Sequence, residues 1–115
     1  MTSDAKVSAY LDAQPPELAD VGSVLRDVLD TSLVRAEGTL WHGHPVWMIG
    51  KTPVAGFKAY PKYVTLLIWR AAELPAHEGL QLNASGLGST KLSSSAAISR
   101  AHLSALLAEA EALAE

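Results

Sequence analysis

Apolar residues recur at helical spacing at both ends of the chain and at strand spacing in the middle. Val7, Tyr10 and Leu11 stand at i, i+3 and i+4 behind Asp4, which predicts a capped helix over residues 4–13. Gln14-Pro15-Pro16 interrupts it, and proline is tolerated in a first helical turn, so a second helix begins there. Leu18, Val21, Val24, Leu25, Val28 and Leu29 form its apolar stripe, and the helix is expected to end between Thr31 and Val34. At the other end, Ser99 is an N-cap candidate. Leu103, Leu106, Leu107, Ala110 and Leu113 form a third stripe.

The middle of the chain reads as strands. PVWMI (45–49) is short and apolar and is followed by the turn signal Gly50-Lys51-Thr52-Pro53. VAGFKAY (54–60) and YVTLLIW (63–69) flank Pro61-Lys62, and STKLS (89–93) supplies a fourth strand. A two-residue loop at Pro61-Lys62 pairs Ala59 with Val64, Phe57 with Leu66 and Ala55 with Ile68 on one wholly apolar face. The opposite face then carries Tyr60, Tyr63, Lys58, Thr65, Gly56, Leu67, Val54 and Trp69. Pairing Ile49 with Val54 would add Trp47 to that second face, opposite a dent at Gly56. Pro45 is expected on an edge strand, with Trp41, His42 and His44 in the approach from helix to sheet. Residues 71–88 hold at most one helical turn, before Pro75, and a loop over NASGLG.

These elements predict one α+β domain over residues 1–115: two N-terminal helices, an antiparallel sheet of about four strands, and a C-terminal helix packed on it. With 49% hydrophobic residues, a core can form without disulfides. The absence of cysteine excludes a thiolate nucleophile and any Cys-ligated metal. No signal-peptide pattern and no span of about 20 apolar residues is present, so a cytoplasmic protein that does not enter a membrane is expected. The net charge of −3 is unevenly spread: −4 over residues 1–44, +3 over 45–95 and −2 over 96–115. The basic excess in the middle is too small to predict nucleic-acid binding.

Four groups of residues carry candidate chemistry. His42 and His44 would point the same way from an extended segment and could chelate a metal, with His77, Glu78 or His102 as a third ligand. GLGSTK (86–91) lacks the Walker order, but consecutive N–H groups in a glycine-rich turn, with Ser89, Thr90 and Lys91, can form an anion nest. Asp20, Asp27 and Asp30 share one flank of the second helix, where hard cations such as iron would find oxygen ligands; a solvated acidic face gives the same pattern. The aromatic strand face resembles a ligand wall. No G-x-S-x-G, H-E-x-x-H or paired-acid motif is present, so the chain is read as non-enzymatic, with an enzyme acting in the same pocket as an alternative.

Tyr10-Leu11, Pro15-Pro16, Trp41, Pro45-Val46-Trp47, PVAGFKAYPKYVTL (53–66) and Gly88-Ser89-Thr90-Lys91-Leu92 together resemble the YdhG-like family of small bacterial domains of unknown function. The likeness covers nearly the whole chain. It implies an α+β fold with helices on one antiparallel sheet. For some members it implies a frataxin-like iron chaperone that binds iron weakly through acidic surface residues. It supplies no catalytic residues.

The leading expectation is therefore a domain that binds a small polar or anionic ligand and needs no resident cofactor. Trp41, His42, His44, Trp47, Lys58, Tyr60, Tyr63, Trp69 and Lys91 are its ligand-binding candidates. Iron handling through Asp20, Asp27 and Asp30, with His42 and His44, is the alternative. A homodimer formed through the aromatic face is another.

Overall fold

In the computed structural model, residues 2–74, 80–84, 86–94 and 98–114 are described. The chain runs β1 (Thr2–Ser3), α1 (Ala5–Asp12), α2 (Pro16–Ser32), β2 (Glu37–Trp41), β3 (His44–Ile49), β4 (Thr52–Ala59), β5 (Val64–Ile68), β6 (Gln81–Leu82), β7 (Gly88–Leu92) and α3 (Arg100–Leu113). A 3₁₀ turn at Ala71–Glu73 occupies the position of the expected helical turn. The α+β class and all three helices follow the sequence pattern. Asp4 caps α1 by accepting from the Lys6 N–H at 3.0 Å, and Ser99 caps α3 by accepting from the His102 N–H at 3.4 Å.

The sheet is larger than the expected four strands. Its order is β1-β2-β3-β4-β5-β7-β6, antiparallel except for the two-residue parallel pair of β1 with β2. Strand β2 was unexpected, and it makes β3 an interior strand, so Pro45 does not lie on an edge. Pro45 pairs with Leu40, next to a tight hairpin in which His42 (φ 54°) and Gly43 (φ 84°) form the loop. Positive φ at both loop positions is the type I′ requirement, and this turn matches the right-handed twist of its strands. Gly50 (φ 61°) opens the next two-residue loop, as a type II′ turn demands.

Three helices cover one face of the sheet. Val7 and Leu11 of α1, Val21, Leu25 and Leu29 of α2, and Leu103, Leu106 and Leu107 of α3 share one core with Ala55, Phe57, Val64, Leu66 and Ile68 of the strands. This is the apolar face expected from the β4–β5 register, which runs Ala55↔Ile68, Phe57↔Leu66 and Ala59↔Val64 as anticipated. Tyr10 closes the free end of β4, its hydroxyl accepting from the Ala59 N–H at 2.9 Å.

Polar contacts lock the helices in place. Glu111, near the C-terminal end of α3, is buried and accepts from the Arg35 backbone N–H at 3.0 Å. At the same helix end, Arg70 donates to the Leu113 carbonyl at 2.6 Å while its other guanidinium nitrogens grip Glu73. These contacts satisfy a carbonyl that the helix terminus would otherwise leave unpaired.

Gly56 sits where β3 and β4 approach most closely. A Cβ there would strike the Pro45 carbonyl oxygen and lie 3.0 Å from the Val46 Cα, both backbone atoms that cannot yield cheaply. Gly56→Ala is expected to lower the unfolding free energy by about 1–3 kcal/mol through overpacking. Urea denaturation measures it, and an unchanged midpoint would refute the close approach.

Candidate functional site

The face of the sheet away from the helices is built by alternation. Thr39 and Trp41 of β2, His44 and Val46 of β3, Gly56 and Lys58 of β4, Thr65 and Leu67 of β5, and Ser89 and Lys91 of β7 point outward. The C-terminal helix does not cover this face, since its buried leucines belong to the opposite core. The aromatic groups expected here are brought together, with one exception.

That exception is Trp47. A bulge between Trp47 and Met48 shifts the β3–β4 register, so Trp47 pairs with Ala55 and Val46, rather than Trp47, faces Gly56. The expected pairing of Ile49 with Val54 is replaced by Ile49↔Thr52. Trp47 therefore turns to the helix side, where it is 0% exposed and its ring lies 5.9 Å from Phe57. Its indole N–H donates to Asp30 Oδ1 at 2.8 Å. Trp47 is a core residue and not part of a ligand wall.

At one end of the outer face, Trp41 and Trp69 meet edge to face, with ring centroids 6.0 Å apart. Trp41 ends β2 and Trp69 follows β5, so the two rings reach each other over β3 and β4. Val46 lies beneath that path. It is 0% exposed although it stands outside the helix-side core, so the outer-face side chains themselves bury it. The dent at Gly56 is thus bedding for a second, small apolar cluster. His42, exposed in the hairpin loop, packs its ring 4.1 Å from Trp41.

At the other end, Tyr60 and Tyr63 stack with centroids 5.2 Å apart. Lys58 Nζ lies 5.3 Å from the Tyr60 ring centre and Lys91 Nζ lies 5.1 Å from that of Tyr63, both within cation–π range. Lys58, Thr65 and Lys91 are direct lateral neighbours on three adjacent strands. His44 falls next to Lys58 in the same row, two residues on from the Val46↔Gly56 pair.

His44 Nδ1 is buried without a hydrogen-bond partner. Burial, reinforced by the charges of Lys58 and His42, holds the imidazole below the ordinary histidine range, so it is neutral at pH 7.

The remaining candidates are placed apart from this face. His42 and His44 do not lie on one extended segment: the chain reverses between them, and His44 pairs with Trp41. His77 and Glu78 lie outside the described residues. His102 is exposed on α3. Asp27 is bound to Arg100 at 2.6 Å, and Asp30 holds Trp47 and lies 3.8 Å from Arg26. Asp20 is exposed on α2. Among the described residues, no three His, Cys, Asp or Glu side chains converge as a metal site. GLGSTK forms no nest, because Gly88–Leu92 is committed to the ladder with β5. The loop before it is closed by Asn83, whose side chain accepts from the Leu87 N–H at 3.0 Å.

Sequence reasoning missed a concavity of about 690 Å³ at the β1–β2–β3 end of the sheet, lined by Asp4, Arg35, Glu37, Gly38, Thr39, Met48 and Gly50. It contains none of the nine ligand-binding candidates. Only recognition of Glu37–Trp41 as a strand would have pointed to it.

No family model matches the chain, and no curated protein or solved structure matches it either. Among the described residues, no helix is long and apolar enough to cross a membrane.

Two outcomes separate framework from site. Trp47→Phe keeps an aromatic ring in the core but removes the bond to Asp30, and it is expected to cost about 1–3 kcal/mol in urea denaturation. Because His44 titrates lower in the folded chain than its unfolded value of about 6.5, the unfolded state binds more protons between the two values. Stability therefore rises with pH across that window and falls as pH drops below about 6.5. His44→Gln is expected to flatten this dependence between pH 7.5 and 5.5, and an unaltered slope would assign it to other groups.

Proposed function

We propose that this protein is a non-enzymatic binding domain of the cytoplasm that holds a polar or anionic ligand on the uncovered sheet face. One observation carries the reading. Lys58 and Lys91 flank the Thr65 hydroxyl on three adjacent strands, with the Tyr60–Tyr63 stack beside them, on the face opposite the described helices. Two ammonium groups and a hydroxyl attract and orient an anion, while the rings supply apolar contact area. Trp41, His42 and Trp69 extend the contact surface. The helices on a single antiparallel sheet agree with what the YdhG-like resemblance implies, and membership of that family belongs to this proposal. The iron-chaperone reading gains no support from α2, where Asp27 and Asp30 are engaged by Arg100 and Trp47.

A calorimetric titration with inorganic phosphate and with adenosine monophosphate tests the reading. Saturable binding of either probe is expected, weakened at least tenfold in the Lys58→Ala/Lys91→Ala double variant and unchanged in Asp27→Ala. Binding that ignores the lysine changes would remove this face from the function. Saturable Fe²⁺ binding that is lost in Asp20→Ala/Asp27→Ala would favour the iron reading instead.

A further inference from the structure

We infer that the occupant of this face is a single strand of nucleic acid, an inference that rests on the face being the binding site. Two features of the folded protein carry it. The first is the sorting of charge. Lys58 and Lys91 project from the outer face, His42 and His44 stand beside them, and Lys62 is exposed in the adjoining loop. Among the described outward strand positions, Glu37 is the one carboxylate; it lies at the far end of β2 from Trp41, the end where the Asp4 carboxylate also accepts from the outward Thr39 hydroxyl. The acids Asp12, Glu17, Asp20 and Asp27 are on α1 and α2, behind the sheet. A helix layer lies about 10 Å from the sheet that it covers, close to the screening length of physiological salt. The net charge of −3 therefore does not describe what a ligand meets at this face.

The second feature is the spacing of flat groups on an open sheet. From β2 to β7 the face spans four strand intervals, about 19 Å. Trp41 with His42 and Trp69 stands toward one side, and the Tyr60–Tyr63 stack stands at the β4–β5 loop. Tyr60 is 38% exposed and His42 is exposed, so rings are available to bases. Aromatic platforms beside backbone-tracking cations are how sheets hold single strands without reading sequence, since every base has a π-face. The row His44, Lys58, Thr65, Lys91 crosses the strands and gives the phosphates a track. The area suits about four nucleotides, the low end of single-module sites. A second copy of this chain fits less well, because stacking the face on itself brings two lysine-bearing surfaces together.

The test is fluorescence anisotropy of labelled ten-nucleotide oligothymidylate and oligouridylate. A duplex of equal length, heparin and a poly-glutamate peptide serve as competitors. Binding of the single strands is expected, falling with added salt, with displacement by unlabelled single strand but only weakly by duplex or poly-glutamate. The thymidylate and uridylate arms distinguish DNA from RNA. Lys58→Glu/Lys91→Glu is expected to abolish binding. Tyr60→Ala and Tyr63→Ala are expected to weaken it at least fivefold each, the loss of a stacked base. Circular dichroism confirms folding; should Tyr63→Ala unfold, the exposed Tyr60 carries the test. Equal competition by heparin, duplex and single strand, with no effect of either tyrosine change, would reduce the face to a generic cationic surface and overturn the inference. Displacement by poly-glutamate alone would assign the face to an acidic protein. Failure of both oligonucleotides while phosphate or adenosine monophosphate still binds through Lys58 and Lys91 would overturn the strand and leave the small-ligand reading standing. Failure of every probe would overturn both.

Discussion

The bulge between Trp47 and Met48 is the constraint on which the rest of the structure depends. One extra residue on β4 decides which side chain of the Val46-Trp47 pair faces the helices. Because it is Trp47, an indole enters the core against Phe57, and its N–H needs a partner there. Asp30 supplies it from α2, and this bond ties the longest helix to the sheet beside its buried apolar stripe. Without the bulge, Val46 would enter the core and leave a void the size of an indole, while Trp47 would lie on the far side.

The same shift shapes the other face. Val46 is small enough to lie under the Trp41–Trp69 pair, and Gly56 beside it leaves room for backbones to close up. The outer face is therefore not a bare sheet surface. It has its own apolar cluster, which holds Trp41 and Trp69 at fixed positions. A binding surface benefits from such fixing, because rigid aromatic anchors lose little entropy when a ligand arrives. The tyrosine pair at the other end is held differently, by mutual stacking and by a lysine ammonium close to each ring.

Much of this was legible in the sequence, for identifiable reasons. The helices carry uninterrupted stripes with Asp4 and Ser99 as caps, and propensity and pattern agree there. The β4–β5 hairpin was readable because a two-residue loop leaves one register that puts Ala55, Phe57, Leu66 and Ile68 on the same side. Strand β2 was not read, since Glu37-Gly38-Thr39 offers neither an apolar run nor a β-branched pair. Its signal was His42-Gly43, a two-residue loop with glycine second, which suits a type I′ hairpin. Reading His42 and His44 as a metal pair hid the turn that His42-Gly43 makes. The bulge could not be read, because its evidence is the packing of Trp47 against α2 and not any local preference. One residue of register moved Trp47 from the expected site into the core, while Lys58, Tyr60, Tyr63 and Trp69 stayed where alternation put them.

Sorting of charge follows from the same one-sided burial. Helices α1 and α2 carry Asp12, Glu17, Asp20 and Asp27 on their exposed flanks, and β4 and β7 carry Lys58 and Lys91 on the free face of the sheet. Since α1 and α2 can cover only one side, these four acids and the two lysines end on opposite sides of the domain. The ammonium groups of Lys58 and Lys91 then act from one surface and are not averaged over the whole molecule. That local field orients the domain as an anion approaches, presenting the aromatic face first. Depression of the His44 pKa fits this arrangement, because a half-buried imidazole beside Lys58 adds no third charge to the row at neutral pH. Its protonation at lower pH would strengthen the attraction for anions while weakening the fold, so affinity and stability are set against each other at one residue.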